Sequence, residues 1–417
     1  MAQTDQPCVP CLPEGITFST QAQIDSFPIN YPTCTSIVGL VEINGANITN
    51  LNGLSNLNFI GGELRIINAD SLIHLTGLEN LSSIGGKLSI SGNDALVNLN
   101  GLNNLILLSG DVDIINNDAL INLTGLENLT HINGSLGIQQ NSVLSSMDGL
   151  ASLVTIDGSL GFANNANLST LTGLEGLTTI GGSLVISGTA MTNLIGLNGI
   201  TEINGGLVIG DCGGGGGNPL LTSLEGLEGL SSIMGGLGIN TNNSLTNLLA
   251  LQGLTWIGGG LSIENNNSLT TLAGLENIDG NSITLLYMRL NPSLSNCAIE
   301  SICEFLATPY GQIIIYGNAV GCNSQQEVED SCGITSVINL IDYDALSPYP
   351  NPTSIAITIE TQAKGTLVIR NTSGQQLLQQ EITEPNTTID VRGWKSGVYF
   401  VRVTGQKNVS VGRFIKQ

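Results

Sequence analysis

Leucine and isoleucine recur along most of this chain at intervals of 24 residues, in the pattern L-x-G-L-x-x-L-x-x-I-x-G-x-L-x-I-x-x-N-x-x-L-x-x. Nine units begin at Leu51, Leu75, Leu99, Leu123, Met147, Leu171, Leu194, Leu224 and Leu248, and a tenth decays after Leu272. Within each unit a segment such as Gly86–Ser91 alternates apolar and polar residues, which predicts a short strand. Because one coil cannot bury its apolar ring alone, successive coils must stack. The pattern therefore predicts an all-β chain dominated by a right-handed β-solenoid.

The regular units reach neither end of the chain, so we expect caps and a separate terminal module. The predicted regions are a cysteine-containing cap with one irregular coil at 1–50, the nine-coil solenoid at 51–277, a four-cysteine cap at 278–333, a linker at 334–345 and a β-sandwich at 346–417. The second cap should contain a short amphipathic helix at Cys297–Leu306. The spacing is 23 residues after Leu171 and 30 after Leu194. In the long unit, Gly213–Gly217 predict a loop that leaves the coil.

Asparagine recurs near one corner of the repeat. We expect these residues to point inward at a turn and to bond backbone groups of adjacent coils: Asn68, Asn93, Asn117, Asn141, Asn165, Asn243 and Asn267. The alternative is calcium binding at Asp94 and Asp118. Most coils lack an acid at that corner, and calcium sites need several carboxylates, so the structural interpretation is favoured.

Charge changes sign along the chain. Residues up to Ala345 contain 29 acidic and three basic residues (Arg65, Lys87 and Arg289), a net charge of −26, whereas residues from Leu346 onward contain four acids and eight bases, a net charge of +4. A body this acidic excludes nucleic-acid binding by counterion release. Apolar runs are too short for a membrane-spanning segment. No signal peptide is visible, and we expect that one was removed from an exported protein.

Eight cysteines fall into three groups. In an exported protein the last four are expected to form disulfides, with Cys297–Cys322 and Cys303–Cys332 the favoured pairing, although sequence cannot fix connectivity. Cys8 and Cys11 have zinc-like spacing, but no second pair completes four ligands. A disulfide from one of them to Cys34, most simply from Cys11, is preferred, and Cys212 remains as a free thiol.

The outward positions of the predicted strands change character along the rod. The first three coils carry the pairs Glu63/Arg65, Lys87/Ser89 and Asp111/Asp113, whereas the next six carry nothing larger than valine. The bare positions are Ser135, Gly137, Ser159, Gly161, Ser183, Val185, Gly206, Val208, Gly236, Gly238, Gly260 and Ser262. Glycine in a strand often marks close approach of another backbone. We therefore predict a docking face here, with Trp256 as an aromatic anchor.

Catalysis finds little support in the sequence, and no cofactor is predicted. His74 and His131 occupy different positions of the repeat, and no metal-protease, nucleophile-elbow or phosphate-loop motif is present. Asp111 and Asp113 share a strand face, but Lys87 and Arg65 are expected to lie too far away to assist them. The paired acids are therefore interpreted as a solvated edge, and a polysaccharide-active enzyme is the weakest of the functions considered.

The C-terminal module alternates apolar and polar residues in four segments: Ile355–Ile359, Leu367–Ile369, Thr388–Val391 and Val398–Val403. Its motifs are Tyr349-Pro350-Asn351-Pro352, Gly374-Gln375, Gly397-Val398-Tyr399-Phe400-Val401 and the basic end around Lys416. In this order they resemble the type A sorting domain of the type IX secretion system of Bacteroidetes. The resemblance implies export across the outer membrane by that machinery, followed by cleavage near the linker and release or attachment at the cell surface.

The repeat itself, over residues 37–333, resembles the receptor L-domain and its leucine-rich-repeat relatives. That resemblance implies the fold and leaves the ligand open. The expected function is a secreted, surface-displayed adhesion module that recognises a protein or a glycan. The alternative is a structural protein that self-associates through its flat face into a layer or fibre.

Overall fold

The computed structural model describes residues 10–211, 216–309, 311–334, 346–361, 364–405 and 409–417. The chain divides into two compact units, Met1–Ile334 and Thr335–Gln417. The first is a parallel β-solenoid of about twelve turns, and the second is a small antiparallel β-sandwich. Apart from Ile334, the linker predicted at 334–345 lies outside the described residues.

One face of the solenoid is a parallel sheet of thirteen strands, here called the long sheet. Its strands, in spatial order, are Ile16–Phe18, Val41–Asn44, Leu64–Ile67, Leu88–Ser91, Val112–Ile115, Leu136–Gln139, Leu160–Ala163, Leu184–Ser187, Leu207–Gly210, Leu237–Asn240, Leu261–Glu264, Leu286–Arg289 and Ile313–Tyr316. The register is strict, so that Leu136 pairs with Leu160 and Ile138 with Phe162. Equivalent positions of the repeat therefore form straight rows across the sheet.

A second face is a parallel sheet of eleven two-residue strands, here called the short sheet. These strands are Pro10–Cys11, Ser36–Ile37, Phe59–Ile60, Ser83–Ile84, Leu107–Leu108, His131–Ile132, Thr155–Ile156, Thr179–Ile180, Glu202–Ile203, Ser232–Ile233 and Trp256–Ile257. From Phe59–Ile60 to Trp256–Ile257, the second residue of each short strand is buried and the first is at least partly exposed. The inward rows of both sheets are buried almost without exception, as the stacking argument requires.

A ladder of buried asparagines runs along one corner of the solenoid. Its members are Asn93, Asn117, Asn141, Asn165, Asn218, Asn242, Asn266, Asn291 and Asn318. Asn141 shows the bonding: its Nδ2 donates to the carbonyl of Ile114 at 2.9 Å, and its Oδ1 accepts from the backbone N–H of Asn117 at 3.0 Å. Each side chain therefore satisfies backbone groups of neighbouring coils that would otherwise be buried without a partner.

The prediction for Asn68, Asn243 and Asn267 was wrong, because these side chains are exposed. Two adjacent corner positions both favour asparagine for different reasons. The first adopts positive φ, as Asn68 does at 50°, and asparagine tolerates that conformation. Only the second points inward, and Ala69 holds that position next to Asn68. Asn243 and Asn267 instead follow the ladder members.

The third residue of the repeat is glycine for two reasons. Gly101 has φ +118°, and a Cβ on it would lie 2.1 Å from the carbonyl oxygen of Leu75 in the preceding coil. A side chain would therefore be strained by its own backbone and would collide with its neighbour. Gly77 and Gly125, at the same position of their units, have a similar positive φ and the same close approach to the preceding coil.

The solenoid extends beyond the nine predicted coils into both predicted caps. Strands at Ile16–Phe18 and Val41–Asn44 precede them, and strands at Leu286–Arg289 and Ile313–Tyr316 follow. The Val41–Asn44 strand belongs to the irregular coil predicted within 1–50. The other three strands were not predicted, because the repeat pattern is degraded there although the apolar alternation persists. In the 30-residue unit the strand ends at Gly210 and the asparagine ladder resumes at Asn218. Residues 212–215, and with them Cys212 and most of the predicted loop, lie outside the described residues.

Helices and disulfides close the two ends of the rod. The helix Gln21–Asn30 covers the first coils and buries Ile24 and Phe27. The helices Glu300–Ala307 and Gln325–Ser331 cover the last coils, and the first of these was predicted. Disulfides join Cys11 to Cys34, Cys297 to Cys322 and Cys303 to Cys332, the pairs that the sequence favoured. Cys8 lies outside the described residues.

The C-terminal unit is a β-sandwich of a two-stranded and a four-stranded antiparallel sheet. The strands Ala356–Glu360 and Asn386–Asp390 form the first sheet, and the second contains, in spatial order, Gln376–Ile382, Gly365–Asn371, Gly397–Gly405 and Val409–Lys416. Residues from both sheets share one apolar core, in which Ile357 and Ile359 meet Leu367, Val401 and Phe414. Two of these strands, Gln376–Ile382 and Val409–Lys416, were not predicted.

Candidate binding face

The outward face of the long sheet has a bare middle and polar ends. Within the strands one row runs straight through the register, and we call it the floor. The floor consists of Gly137, Gly161, Val185, Val208, Gly238 and Ser262. Adjacent parallel strands lie about 4.8 Å apart, so six coils give a strip roughly 24 Å long.

The row that precedes the strands is small for a structural reason. The hydroxyl of Ser135 accepts a hydrogen bond from the backbone N–H of Ser159 at 3.0 Å, and Ser159 accepts in the same way from Ser183. Ser183 then accepts from the N–H of Gly206 at 3.0 Å. Gly206, Gly236 and Gly260 continue this row in tight surroundings. The structure thus gives these six predicted docking positions a role in coil-to-coil bonding.

The floor is different, because no backbone of a neighbouring coil comes close to Gly161 or Gly238. A Cβ built on Gly161 meets nothing within 4 Å, and one on Gly238 meets only the end of Asn240 at 3.3 Å and more distant atoms of Val208. Neither glycine has positive φ. A larger side chain would fit at Gly161, so packing does not explain the glycine there. At the buried Gly238 the Asn240 side chain would first have to move.

Ion pairs occupy the N-terminal end of the face. Arg65 pairs with Glu63 at 2.8 Å and with Glu42 at 3.6 Å. Lys87 pairs with Asp113 across adjacent coils, and hydrogen bonding to that carboxylate raises the pKa of the Lys87 ammonium. The expectation that Lys87 lies far from the two aspartates was therefore wrong. The register places it one coil away and two residues along the strand.

Asp111 and Asp113 are both engaged. Asp111 accepts a hydrogen bond from the backbone N–H of Ser135 at 2.8 Å, and so begins the row that the serines continue. Asp113 holds Lys87.

A cluster that sequence reasoning missed lies at the C-terminal end of the face. Glu264 receives hydrogen bonds from Arg289 at 2.7 Å and from Ser262 at 2.7 Å. The guanidinium of Arg289 lies over the ring of Tyr287, with its Cζ 5.8 Å from the ring centroid. The Tyr287 hydroxyl donates to the side chain of Gln312 at 2.7 Å. We call Glu264, Tyr287, Arg289, Gln312 and Tyr316 the tyrosine cluster. The alternation in Leu286-Tyr-Met-Arg289 was the available signal.

Trp256 does not belong to this face. It lies in the short sheet, paired with Ser232, and 43% of it is exposed. On the same sheet His131 contacts Thr155 and Asp157, the latter at 3.2 Å. The second histidine, His74, contacts only Asn98, at 3.1 Å. The structure therefore separates the predicted aromatic anchor from the predicted docking row.

Metal ligands do not gather anywhere in the described part of the chain: no group of three or more His, Cys, Asp or Glu residues could hold an ion there. Asp118, one of the calcium candidates, accepts a hydrogen bond from the hydroxyl of Ser142 at 3.2 Å. Among the same residues no helix is both long and apolar enough to cross a bilayer.

The motif residues of the C-terminal unit bring its first and last segments together. The side chain of Asn351 accepts from the N–H of Ile415 at 2.9 Å and donates to the carbonyl of Arg413 at 3.1 Å. Thr353 continues this pairing beside Lys416, whose side chain is largely buried. The flanking Tyr349-Pro350 and Asn351-Pro352 bonds are both cis. The Asn351 amide thus makes the two backbone hydrogen bonds to the last strand that a neighbouring strand would otherwise make.

The other motif residues shape the sandwich. Gly374 turns the chain between two strands with φ +75°, and Gly397 begins the longest strand. The buried Tyr399 donates its hydroxyl to the carbonyl of Lys395 at 2.6 Å. Its ring stacks on Phe414 with centroids 5.3 Å apart, beside Trp394. The motif residues therefore join the first and last segments of the unit and pack its core.

Comparison with known families supports the resemblance of the C-terminal unit to a sorting domain. Residues 347–417 match the family described as secretion system C-terminal sorting domain. A search of curated proteins found no match. The C-terminal unit is thus a sorting domain of the type IX secretion system, and the protein is secreted to the cell surface or the extracellular space. Interaction with that secretion machinery follows from the domain.

Proposed function

We propose that the solenoid is a surface-displayed binding module that attaches to a protein or a glycan through the floor of the long sheet. The observation that carries the proposal is the floor itself. In the floor row six successive coils carry no side chain larger than valine, although Gly161 has open space for one. Strands with an exposed face usually carry β-branched or aromatic residues there, and strand glycines often mark close approach of another molecule.

The export route supports this role, because a sorting domain delivers the solenoid to the place where it would meet cells or matrix. The repeat's resemblance to the receptor L-domain, a fold of extracellular recognition, is part of the same proposal. Charge adds a further argument. The solenoid unit is strongly acidic, so a neutral strip is the part of its surface least repelled by other anionic surfaces.

Self-association into a layer is the second candidate. Two copies of so acidic a rod repel each other over most of their surface, and the uncharged floor is where repulsion is weakest. Light scattering of the purified protein separates this candidate from the first. A defined polymer or dimer that dissolves when the floor is charged favours self-association.

The test places a lysine on the floor. Gly161→Lys puts a long charged side chain where the structure has room, and Gly238→Lys adds one where only the Asn240 side chain must move. We expect each to reduce attachment of the purified protein to cells about tenfold. Thr179→Lys is the matched control, because it adds the same charge to an exposed position of the short sheet. Equal attachment of all variants would overturn the proposal.

A further inference from the structure

The tyrosine cluster lies at the C-terminal end of the floor, where its side chains are held by hydrogen bonds. In the register Ser262 pairs with Tyr287 and Glu264 with Arg289, and in the next strand Arg289 pairs with Tyr316. The floor row therefore runs directly into the ring of Tyr287. Two contacts hold that ring: its hydroxyl donates to Gln312, and the Arg289 guanidinium lies over one of its faces. Tyr316 is 44% exposed.

The charges of the cluster cancel. The Arg289 guanidinium is the cation of the cluster, and it donates to Glu264 at 2.7 Å. Only 14% of the Glu264 side chain is exposed, and both of its oxygens already accept hydrogen bonds. The site thus offers a neutral surface of amide, hydroxyl and ring atoms, rather than a free charge for an ionic ligand.

Two further features narrow the ligand class. Residues up to Ala345 carry a net charge of −26, which repels polyanions. Tyrosine combines an apolar ring with a polar tip, which suits a sugar ring that has an apolar C–H side and hydroxyls at its rim. A flat floor suits a flat chain, and polysaccharides with equatorial β-linkages form such ribbons.

We infer that the tyrosine cluster and the adjoining floor bind a neutral, β-linked polysaccharide. The face of Tyr287 that Arg289 does not cover is the platform for one sugar ring. Gln312 and Ser262 contact the hydroxyls of that sugar, and the chain continues along the floor. This inference rests on the proposed function, for which it names the ligand.

The experiment measures binding of the full chain to three neutral, ribbon-like β-1,4-linked probes: microcrystalline cellulose, insoluble mannan and chitin. Alginate is the anionic comparison. We expect retention on at least one neutral probe, little dependence on salt, and none on alginate. Tyr287→Ala should raise the dissociation constant about tenfold, the loss expected for one stacking contact. Tyr287→Phe, which keeps the ring, should stay within about threefold.

Trp256→Ala is the matched control, because it removes an exposed aromatic ring from the other sheet, and it should leave binding unchanged. Thermal unfolding of each variant shows that the fold is intact. Three results would overturn the inference: no retention on any neutral probe, preference for alginate, or a loss that follows Trp256→Ala instead of Tyr287→Ala. If Gly161→Lys reduces cell attachment but no glycan binds, the inference is wrong and the proposed function is still supported.

Discussion

In the solenoid unit, hydrogen bonds join residues about one coil apart: the N–H of Asn117 meets Asn141, 24 positions later. In the C-terminal unit, Asn351 reaches Arg413 and Ile415, 62 and 64 positions later. Each coil is therefore held by its two neighbours, whereas the sandwich is held by its own ends. A local change should weaken a few coils of the rod, but a change at either end of the sandwich should loosen the whole unit.

The largest effect is expected from Gly101→Ala. Its positive φ and the nearby Leu75 carbonyl should together cost about 3 kcal/mol of the free energy of unfolding, measured by chemical denaturation. Gly161→Ala is the control, since its Cβ would meet nothing within 4 Å, and it should change that free energy by less than about 0.5 kcal/mol. Equal losses would mean that coil spacing does not depend on these glycines.

The asparagine ladder should show the next largest effect. Asn141→Ala removes the partners of the buried Asn117 N–H and Ile114 carbonyl, which should lower the free energy of unfolding by about 2 to 3 kcal/mol. Asn243→Ala changes an exposed asparagine of another coil and should be close to neutral. Hydrogen exchange would locate the loss, which we expect in the coils next to Asn141. Uniform loss along the rod would contradict nearest-neighbour stabilisation.

Asn351 tests the closure of the sandwich. Asn351→Ala loses both bonds to the last strand and should destabilise the C-terminal unit by about 1 to 2 kcal/mol. Asn351→Asp keeps the acceptor for the Ile415 N–H and should lie between alanine and wild type. Secretion into the medium, followed by immunoblotting, should fall in the same order. Unchanged stability would show that Asn351 acts in recognition alone.

The smallest effect concerns an exposed ion pair. Hydrogen bonds from the Arg392 side chain and backbone lower the pKa of Asp390 from 3.8 to about 2. A lowered folded-state pKa means that the pair stabilises the sandwich above the ordinary carboxyl pKa, and that this contribution is lost as pH falls toward about 2. NMR titration of Arg392→Gln should show the Asp390 pKa returning toward its ordinary value. A pKa that stays near 2 would assign the shift to other groups.

The residues that pack between stacked coils could be predicted from the sequence. Inward residues such as Leu88 and Ile90 repeat because every coil repeats the same contact, and periodicity reveals them directly. It misplaced three asparagines by one residue, because residues on both sides of the ladder position can be asparagine: Asn68 precedes it with positive φ, whereas Asn243 and Asn267 follow the ladder members Asn242 and Asn266. It missed the Lys87–Asp113 pair, since that contact depends on the register between coils. The tyrosine cluster was missed because the repeat loses its glycines there.

The pairing of Asn351 with the last strand was also beyond sequence reasoning. The motif Tyr349-Pro350-Asn351-Pro352 identifies the domain, but nothing in those letters shows that an amide side chain bonds a strand more than 60 residues away. A hydrogen bond between the first and last segments of the sandwich depends on how all of its strands fold. Contacts at one repeat length leave a periodic trace in the sequence, and this contact leaves none.

The central claim, that the floor is the buried surface when the protein is attached, can be measured directly. Gly161→Cys and Thr179→Cys place single thiols on the long and short sheets, and mass spectrometry of maleimide-treated, cell-attached protein reports each thiol separately. We expect Gly161→Cys to be protected on attachment and Thr179→Cys to react as it does in free protein. Equal reactivity of both thiols on attached cells, or protection of Thr179→Cys alone, would contradict the account.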